Sequence, residues 1–321
     1  MISRKRIKAA VIGVGYLGRF HAQKYAALED AELVGVVDAD PLRAEAVAKE
    51  VGTKAFRNYG ELLGLVDAVS IATPTEFHHF IGMEFLSRGV HVMMEKPLAA
   101  DSREAAELVR EAERAGVVLQ AGHIERFNGA MLALGGAIKD PLYIEAVRTS
   151  PYPNRSTDVD VILDVMIHDI DLVLSLAGSE PEHVEATALP VVSRGKADFA
   201  SARVAFRNGC VAAITASRAA RERVRKITVY QPGAIITIDY AAQALYIDRT
   251  VPGSGPVATQ AAEDVKVEKK DSLLEEIRSF IISVRDGVPP VVSGMDGMRA
   301  LELAESIREA SGSSSVCPGR S

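Results

Sequence analysis

The stretch from Lys8 to Asp38 constrains the fold of this chain more than any other segment. An apolar run, Ala9–Val14, leads into Gly13, Gly15 and Gly18, which have the spacing G-x-G-x-x-G. The first glycine allows a tight turn out of a strand, the second lets the backbone approach a pyrophosphate, and the third lets a helix pack closely on the sheet. The segment therefore predicts a strand–turn–helix unit whose helix N-terminus offers free N–H groups and a positive dipole to phosphates.

A second apolar run, Leu33–Val37, ends in Asp38, which lies twenty residues after Gly18. A carboxylate in this position accepts hydrogen bonds from a ribose 2′-hydroxyl and would repel a 2′-phosphate. We therefore expect NAD as the cofactor, in preference to NADP. An ordinary turn in an α/β domain is the alternative interpretation of the three glycines.

Strand-like and helical segments alternate up to about Gly122, which predicts a doubly wound parallel sheet. Beyond it, short strands joined by turn signals such as Asn208-Gly209 predict a sheet that is mostly antiparallel. We expect an α/β chain with two domains: a Rossmann domain over residues 1–122, and an α+β domain with a large open sheet over residues 123–321. The second domain is expected to contain helices over Phe127–Ile138 and Val161–Leu176 and a loop over Thr250–Gln260.

Polar residues follow two of the predicted parallel strands: Thr73-Pro74 follows one strand and Glu95-Lys96-Pro97 ends the next. In a sheet of this type the ligand crevice lies beyond the carboxyl ends of the strands. A cation at Lys96 could orient a substrate hydroxyl and stabilise the alkoxide that forms as hydride leaves. The alternative is an exposed lysine at the end of a strand.

Asp164 and His168 are four residues apart on a predicted helix, so they are expected to share one face of it. A histidine titrates near neutral pH and can take a hydroxyl proton. Asp164 could steer that imidazole or pair with Lys96. The alternatives are a surface ion pair or two metal ligands; since no companion ligands occur at suitable spacing, we expect no metal.

Further candidate residues carry imidazole, amide or guanidinium groups. His78 and His79 lie in the predicted helix after Thr73-Pro74, where one of them could face the cofactor crevice. Arginine suits phosphate recognition, and polar residues that follow the first domain are Arg126, Asn128, Arg148, Asn154 and Arg155. A later basic run, which we interpret as a charged strand–loop face, consists of Arg218, Arg221, Arg223 and Arg225.

Composition argues against several other classes of protein. The net charge of −6 does not favour a general nucleic-acid-binding surface. The two cysteines indicate neither a disulfide framework nor a zinc site, and they fit a reducing compartment. No apolar stretch approaches the roughly 20 residues of a membrane-spanning helix. We expect a cytoplasmic protein without nucleic-acid or membrane partners.

These motifs together resemble the glucose-fructose oxidoreductase/inositol dehydrogenase/MocA family of NAD(P)-dependent enzymes. The resemblance covers nearly the whole chain, and the segments that carry it are Gly13–Gly18, Ala72–Pro74 with His78, Glu95–Leu98, Asp164-x-x-x-His168 and Val291–Ala300. It implies a Rossmann domain followed by a mixed α/β domain whose large sheet forms a homo-oligomer, either a dimer or a tetramer. It also implies Lys96, Asp164 and His168 as the catalytic group.

The expected site residues follow from the glycine motif and the resemblance. The cofactor-binding set is Gly13, Gly15, Tyr16, Leu17, Gly18, Asp38, Thr73, Pro74, His78, Glu95, Lys96 and Pro97. The candidate substrate-binding residues are Arg126, Asn128 and Arg155.

The segments Gly122–Asn128 and Leu163–Asp171 look more like one branch of the family, which includes UDP-N-acetylglucosamine 3-dehydrogenases. Many family members have a glycine-rich lead before the Asp/His pair, whereas this chain has Asp158–Leu163 there, which argues against a free sugar or inositol as substrate. The leading hypothesis is hydride transfer between a secondary alcohol of a nucleotide sugar and the nicotinamide.

Two other functions remain open from the sequence. One is a glycoside hydrolase that keeps its NAD bound and uses transient oxidation. The other is a nicotinamide-binding sensor without turnover. Net accumulation of NADH distinguishes the dehydrogenase from the hydrolase.

Overall fold

Two compact units make up the chain in a computed structural model that describes residues 6–152, 160–193, 195–251 and 259–313. One unit comprises Met1–Ile124 and Asp271–Arg299, and the other comprises Glu125–Lys270 and Ala300–Ser321. The described β-strands are β1 Ile7–Ile12, β2 Ala31–Val37, β3 Lys54–Phe56, β4 Ala68–Ile71, β5 His91–Glu95, β6 Leu119–Gly122, β7 Tyr143–Thr149, β8 Pro181–Leu189, β9 Phe199–Phe206, β10 Val211–Ser217, β11 Val224–Gln231, β12 Ala234–Asp239, β13 Ala244–Val251 and β14 Thr259–Val265. The described α-helices are α1 Tyr16–Ala27, α2 Pro41–Val51, α3 His78–Leu86, α4 Ser102–Ala115, α5 Gly129–Leu132, α6 Ile167–Ala177, α7 Ser272–Asp286 and α8 Gly294–Ser313. None of these helices has the length and apolar character needed to cross a bilayer.

The first unit contains a parallel sheet with the strand order β3-β2-β1-β4-β5-β6. β1 lies between β2 and β4 and pairs in parallel with both, so the winding of the chain reverses at this point. Ligands of doubly wound sheets bind at such a reversal, outside the carboxyl ends of the strands. The predicted Rossmann architecture is therefore confirmed.

Local signals set the bounds of the helices around this sheet. Asp40 accepts a backbone N–H from the first turn of α2 at 3.0 Å, and Asp101 accepts one from the first turn of α4 at 2.8 Å. Both helices end at a glycine in the left-handed conformation, Gly52 with φ 70° and Gly116 with φ 67°. Both helices are therefore bounded by local signals in the sequence.

The helix α7 belongs to the first unit, although we expected a second domain that runs without interruption from residue 123. Its side chains Ile277, Phe280 and Ile281 are buried in one apolar cluster with Val11 and Tyr25. Burial of this apolar face against β1 and α1 stabilises the helix in the first unit. The chain therefore returns to the first unit after it has formed the second sheet.

The beginning of α8 packs on β6 through two glycines. A Cβ at Gly294 or at Gly297 would lie 2.6 Å from a side-chain carbon of β6, so neither position accepts a larger residue without a shift. The backbone N–H and the hydroxyl of Ser293 both donate to Asp296 Oδ2, at 2.7 and 2.6 Å, and so fix the start of the helix. The closing motif Val291–Ala300 therefore has a structural role: it starts α8 and packs this helix on β6.

The second unit contains an eight-stranded sheet with the order β14-β13-β12-β11-β7-β10-β9-β8. Every neighbouring pair is antiparallel except β7 and β10, which are parallel. Along β9, the buried residues that face the core are Ala200, Ala202, Val204 and Phe206. The prediction of a large, mostly antiparallel sheet is confirmed, and β8 and β14 are additional strands that the sequence analysis did not identify.

Two predicted elements of this unit are wrong in extent. The helix expected over Phe127–Ile138 is reduced to α5, because Gly135 and Gly136 have φ of 51° and 79° and leave the helical conformation. The loop expected over Thr250–Gln260 overlaps the end of β13 and the start of β14, which pair with each other. Its residues 252–258 lie outside the described residues.

A buried ion network anchors the second unit. Arg148, on β7, donates to both carboxylate oxygens of Asp169 at 2.8 and 3.0 Å and to Glu125 Oε1 at 2.9 Å. Its guanidinium carbon lies 5.7 Å from the ring centroid of Tyr240. Arg148 therefore neutralises two acids inside the protein, which corrects the suggestion that it recognises a phosphate.

We expect Arg148→Met to lower the free energy of unfolding by about 3–5 kcal/mol, because it leaves Asp169 and Glu125 buried without the guanidinium. Urea denaturation followed by circular dichroism measures the change. Arg148→Lys should have a smaller effect, since lysine keeps the charge but loses the bidentate geometry. The control is Arg249→Met, which removes an exposed ion pair with Glu263 and should change stability little. Equal effects of Arg148→Met and Arg249→Met would contradict the prediction.

Candidate active site

Polar residues gather at the carboxyl edge of the parallel sheet in the first unit. The turn after β1 carries Gly13–Gly18, the turn after β4 carries Thr73-Pro74, and β5 ends at Glu95-Lys96-Pro97. Since β1 neighbours β4 and β4 neighbours β5, the three turns lie next to one another. The sheet brings the predicted cofactor set together where doubly wound folds bind dinucleotides.

The three glycines of the first turn meet different surroundings. A Cβ at Gly18 would lie 1.8 Å from the carbonyl oxygen of Gly13, and a Cβ at Gly13 would lie 2.8 Å from the backbone of Ala72. A Cβ at Gly15 would meet no atom of the described residues within 4 Å. Gly13 and Gly18 are therefore required by the packing of the protein itself, whereas the space beside Gly15 is open to a pyrophosphate. The next two side chains, Tyr16 and Leu17, are exposed beside this space.

Asp38 is held at the same turn by three donors. Its Oδ2 accepts the Val14 N–H at 2.8 Å, and its Oδ1 accepts the Asp40 N–H at 2.9 Å and Arg43 Nη1 at 3.2 Å. The carboxylate thus has a fixed position at the end of β2, where a dinucleotide presents its adenosine ribose. Arg43, whose side chain is half exposed, shares this position and was not singled out from the sequence.

His78 joins two of the turns. It is buried, with Nδ1 2.9 Å from the carbonyl oxygen of Pro97 and Nε2 2.9 Å from the carbonyl oxygen of Thr73. Burial lowers the pKa of His78 below its ordinary value, although the carbonyl contacts raise it, so the neutral ring donates to one carbonyl at a time. His78 therefore lies between the turn after β4 and the turn after β5 and contacts the backbone of both. Thr73 Oγ1 is buried and has no hydrogen-bond partner among the described residues, which leaves it available to a bound group.

Glu95 is fixed at the end of β5 by two donors. Its Oε1 lies 2.9 Å from Nε2 of His21, on α1, and its Oε2 accepts the Lys96 N–H at 3.2 Å. Burial raises the pKa of the Glu95 carboxyl, but the His21 hydrogen bond and the charge of Lys96 outweigh it and hold the pKa below its ordinary value. The Lys96–Pro97 peptide is cis.

Asp164 and His168 lie in the second unit, in a helix that begins irregularly. Residues Ile162–Met166 form a π turn in which the Ile167 N–H donates to the carbonyl of Ile162, and α6 follows directly. Asp164 lies in this π turn and His168 lies in the regular helix that follows it, so the four-residue spacing between them crosses the change of helix type. Such turns occur frequently at functional sites.

Arg218 is the buried partner of Asp164. Its Nη1 lies 3.4 Å from Asp164 Oδ2 and its Nη2 lies 3.8 Å from Asp198 Oδ1, with only 1% of the side chain exposed. The interpretation of Arg218 as part of a charged surface is therefore wrong, whereas Arg221, Arg223 and Arg225 are exposed. A buried arginine between two carboxylates therefore holds Asp164, one of the three candidate catalytic residues.

The candidate substrate-binding residues have other contacts in the second unit. Arg126 donates to both carboxylate oxygens of Asp171, at 2.7 and 2.9 Å. Asn128 is buried, and its Oδ1 accepts a backbone N–H of α5 at 3.1 Å. These contacts show that both side chains take part in the packing of the second unit, and substrate binding by either residue stays a prediction. Arg155, like Asn154, lies outside the described residues.

His21 is a site residue that the sequence analysis missed, although a local signal for it exists. The buried residues of α1 are Gly18, His21, Ala22 and Tyr25, at the spacing of one helical face. Helical periodicity therefore places His21 against the sheet. Arg218 had no such signal, because its partners Asp164 and Asp198 are distant in the sequence.

The first unit fits a dinucleotide on three observations: the open space at Gly15, the fixed carboxylate of Asp38 and the buried Thr73 hydroxyl. Among the described residues, no three His, Cys, Asp or Glu side chains are grouped so that they could hold a metal ion. The fold and the site together define a dinucleotide-binding protein of the Rossmann type.

Comparison with known proteins specifies the family. The model described as "Oxidoreductase family, NAD-binding Rossmann fold" matches residues 7–123, and the GFO/IDH/MocA C-terminal domain model matches residues 132–236. UDP-N-acetylglucosamine 3-dehydrogenase of Acidithiobacillus ferrooxidans is 40% identical over 95% of this chain and 97% of its own, and its solved structure is similar with a TM-score of 0.89. Myo-inositol 2-dehydrogenase of Thermotoga maritima is 28% identical over 92% of this chain and 94% of its own. Levoglucosan dehydrogenase, solved with NADH and levoglucosan, shares the fold at 19% identity and a TM-score of 0.85, over 97% of this chain and 98% of its own.

The chain therefore belongs to the GFO/IDH/MocA family of oxidoreductases. It is an NAD-dependent dehydrogenase, and the predictions of family, fold class and cofactor are confirmed.

We expect Asp38→Ala to weaken NAD binding and to narrow the preference for NAD over NADP. The variant removes the carboxylate that repels a 2′-phosphate and releases Arg43, whose guanidinium suits a phosphate. It also removes the acceptor of the Val14 N–H, so NAD itself should bind less tightly. Titration of the purified protein with each cofactor gives the ratio of the two Kd values, which should change by about tenfold or more. Asp40→Ala, which removes a neighbouring carboxylate 3.6 Å from Arg43, is the control and should leave the ratio unchanged. NADP binding as tight as NAD binding in the unaltered protein would refute the role of Asp38.

Proposed function

We propose that this dehydrogenase oxidises a secondary alcohol of a nucleotide sugar, with UDP-N-acetylglucosamine or a close analogue as its substrate. The observation that carries the proposal is the similarity to UDP-N-acetylglucosamine 3-dehydrogenase, which extends over 95% of the chain at 40% identity. The identity to myo-inositol 2-dehydrogenase over a similar length is 28%. The difference favours a nucleotide sugar over a cyclitol.

The two segments that look like this branch of the family contact each other in the structure. Glu125 and Asp169 share Arg148, and Arg126 pairs with Asp171. The branch motifs thus form the scaffold that carries His168, which precedes Asp169. They support an arrangement around His168 that is similar to the one in this branch of the family. The substrate itself is inferred from the similarity of the whole chain.

Oxidation of an alcohol removes a hydride from carbon and a proton from oxygen, and bound NAD supplies the hydride acceptor. We assign the proton to His168, because a neutral imidazole is a suitable base near neutral pH. Lys96, as an ammonium, holds the hydroxyl and stabilises negative charge on its oxygen. Asp164, held by Arg218, orients these groups.

We expect NADH to accumulate when the protein is mixed with NAD and UDP-N-acetylglucosamine. Myo-inositol is the control substrate and should give little NADH.

His168→Ala should lose the lower limb of the pH–rate profile and lower turnover by about a hundred- to ten-thousand-fold, because the base is gone. Lys96→Met should lower turnover at every pH, because its role is electrostatic. An acid limb that persists in His168→Ala and disappears in Lys96→Met would reverse the two roles.

The same assay tests the two other functions. Release of the sugar without net NADH would indicate the hydrolase that keeps its NAD bound. Tight NAD binding without turnover of any sugar or nucleotide sugar would indicate the sensor. Either result would overturn the proposed dehydrogenase activity on nucleotide sugars.

We also propose that the protein is a cytoplasmic homo-oligomer, a dimer or tetramer formed through the open face of the eight-stranded sheet. Three tyrosines support this surface: Tyr143 and Tyr230 are cross-strand neighbours with ring centroids 6.0 Å apart, and Tyr246 is 43% exposed. Exposed aromatic side chains are enriched at protein interfaces. The free, buried thiol of Cys210 is compatible with a reducing compartment.

Sedimentation velocity at micromolar concentration is expected to show a species larger than the monomer. Tyr230→Arg should shift it towards the monomer, because a charge would be buried in the interface. Leu65→Arg, at an exposed apolar position of the first unit, is the control and should leave the sedimentation unchanged. A monomer alone in the unaltered protein would exclude this interface.

A further inference from the structure

His21 and Glu95 form a buried pair that the proposed chemistry does not use. His21 lies on α1, three residues after Gly18, and is 1% exposed. Its Nε2 lies 2.9 Å from Glu95 Oε1, while its Nδ1 makes no hydrogen bond with any residue that the structure describes. A proton on Nε2 has an acceptor and a proton on Nδ1 has none. The geometry therefore assigns a neutral ring whose Nε2–H donates to the carboxylate.

The charge of the pair follows from this assignment. Glu95 accepts from His21 with one oxygen and from the Lys96 N–H with the other, and only the ionised carboxylate accepts with both. A neutral imidazole and an ionised carboxylate give the pair a charge of −1 next to the positive charge of Lys96, with the Glu95 side chain only 12% exposed. Such a charge acts strongly on its neighbours, because little water screens it.

The position of Glu95 relative to the cofactor follows from the strand order. Asp38 follows β2 on one side of β1, and a dinucleotide places its adenosine ribose there. The dinucleotide crosses the glycine turn, so its nicotinamide half lies on the other side, beyond β4 and β5. Glu95 ends β5 on that side. A Cβ at Gly122, on the neighbouring β6, would lie 3.2 Å from Glu95 Cδ, and the glycine leaves this position beside Glu95 without a side chain.

We propose that His21 is a positioning residue that holds Glu95 as a fixed anion beside the nicotinamide, so that the pair favours the oxidised cofactor over the reduced one. The ring of the oxidised cofactor carries a positive charge and the ring of NADH is neutral, so a nearby anion stabilises only the first. The pair thereby sets the relative affinities for NAD and NADH. The inference depends on NAD binding by the first unit and not on the identity of the sugar.

A different effect on cofactor binding is expected if the role of His21 is only structural. If the pair only joins α1 to the end of β5, its loss would disturb the whole site and weaken both forms of the cofactor equally. The ratio of the two dissociation constants, Kd for NADH divided by Kd for NAD, separates the two roles. It is measured by binding alone and needs no turnover.

The test titrates the purified full-length protein with NADH by fluorescence and with NAD by calorimetry. Glu95→Gln should lower the ratio by about tenfold or more, the order expected for a close opposite charge. His21→Leu should lower it in the same direction, because the carboxylate loses its donor. The double variant should show no more than the larger single effect. His21→Gln should stay near the unaltered ratio, since the glutamine amide can donate in place of Nε2.

The chain contains a matched control pair. His79 Nε2 lies 2.8 Å from Glu107 Oε2, between α3 and α4, so the same chemistry occurs away from the ends of β4 and β5. His79→Leu and Glu107→Gln should leave the ratio unchanged. Equal weakening of NAD and NADH by His21→Leu, or an unchanged ratio in Glu95→Gln, would overturn the proposal, and Glu95→Gln remains decisive if His21→Leu does not fold. Failure of the unaltered protein to oxidise UDP-N-acetylglucosamine would not affect this result.

Discussion

The close approach of Gly18 to the carbonyl of Gly13 determines how the first helix meets the parallel sheet. A Cβ at Gly18 would lie 1.8 Å from that oxygen, so only glycine permits the contact. The contact directs the N-terminus of α1 at the carboxyl edge of the sheet, where its free N–H groups can bind phosphates. It also brings His21, one helical turn later, within hydrogen-bond distance of Glu95. One backbone contact therefore links the phosphate site to the end of β5.

Buried ion pairs have the corresponding role in the second unit. Arg218 holds Asp164, and Arg148 holds Asp169, the residue after His168. Burial of these charges is unfavourable in itself, and it is tolerated because each guanidinium lies beside two carboxylates, with Arg148 bound to Asp169 through two short hydrogen bonds. Asp164 itself lies in the π turn, directly before α6. Asp164 and the residue next to His168 are thus held by the packed interior of the second unit, and a rigid support of this kind keeps the geometry of a site.

The comparisons and the structure contribute differently to the functional conclusion. Similarity over the whole chain places the protein among the NAD-dependent dehydrogenases of its family. The structure shows that the segments which look most like one branch, around Glu125 and Asp169, are joined by Arg148. Those residues describe how the second unit is built. The substrate is therefore tested by the assay with nucleotide sugars. The cofactor site is tested separately by titration of the protein with the cofactors.

The amino-acid sequence by itself determined the features that depend on neighbouring residues. The spacing of Gly13, Gly15 and Gly18, the alternation of strand-like and helical segments, and turn signals such as Asn208-Gly209 identified the cofactor turn and both sheets, because turns and side-chain periodicity are local properties of the backbone. Only the tertiary structure decided which distant groups meet. It placed α7 in the first unit, buried Arg218 beside Asp164, and joined Arg126 to Asp171. An arginine on a strand looks the same in sequence whether it faces water or a carboxylate fifty residues away, since its environment is created by long-range packing.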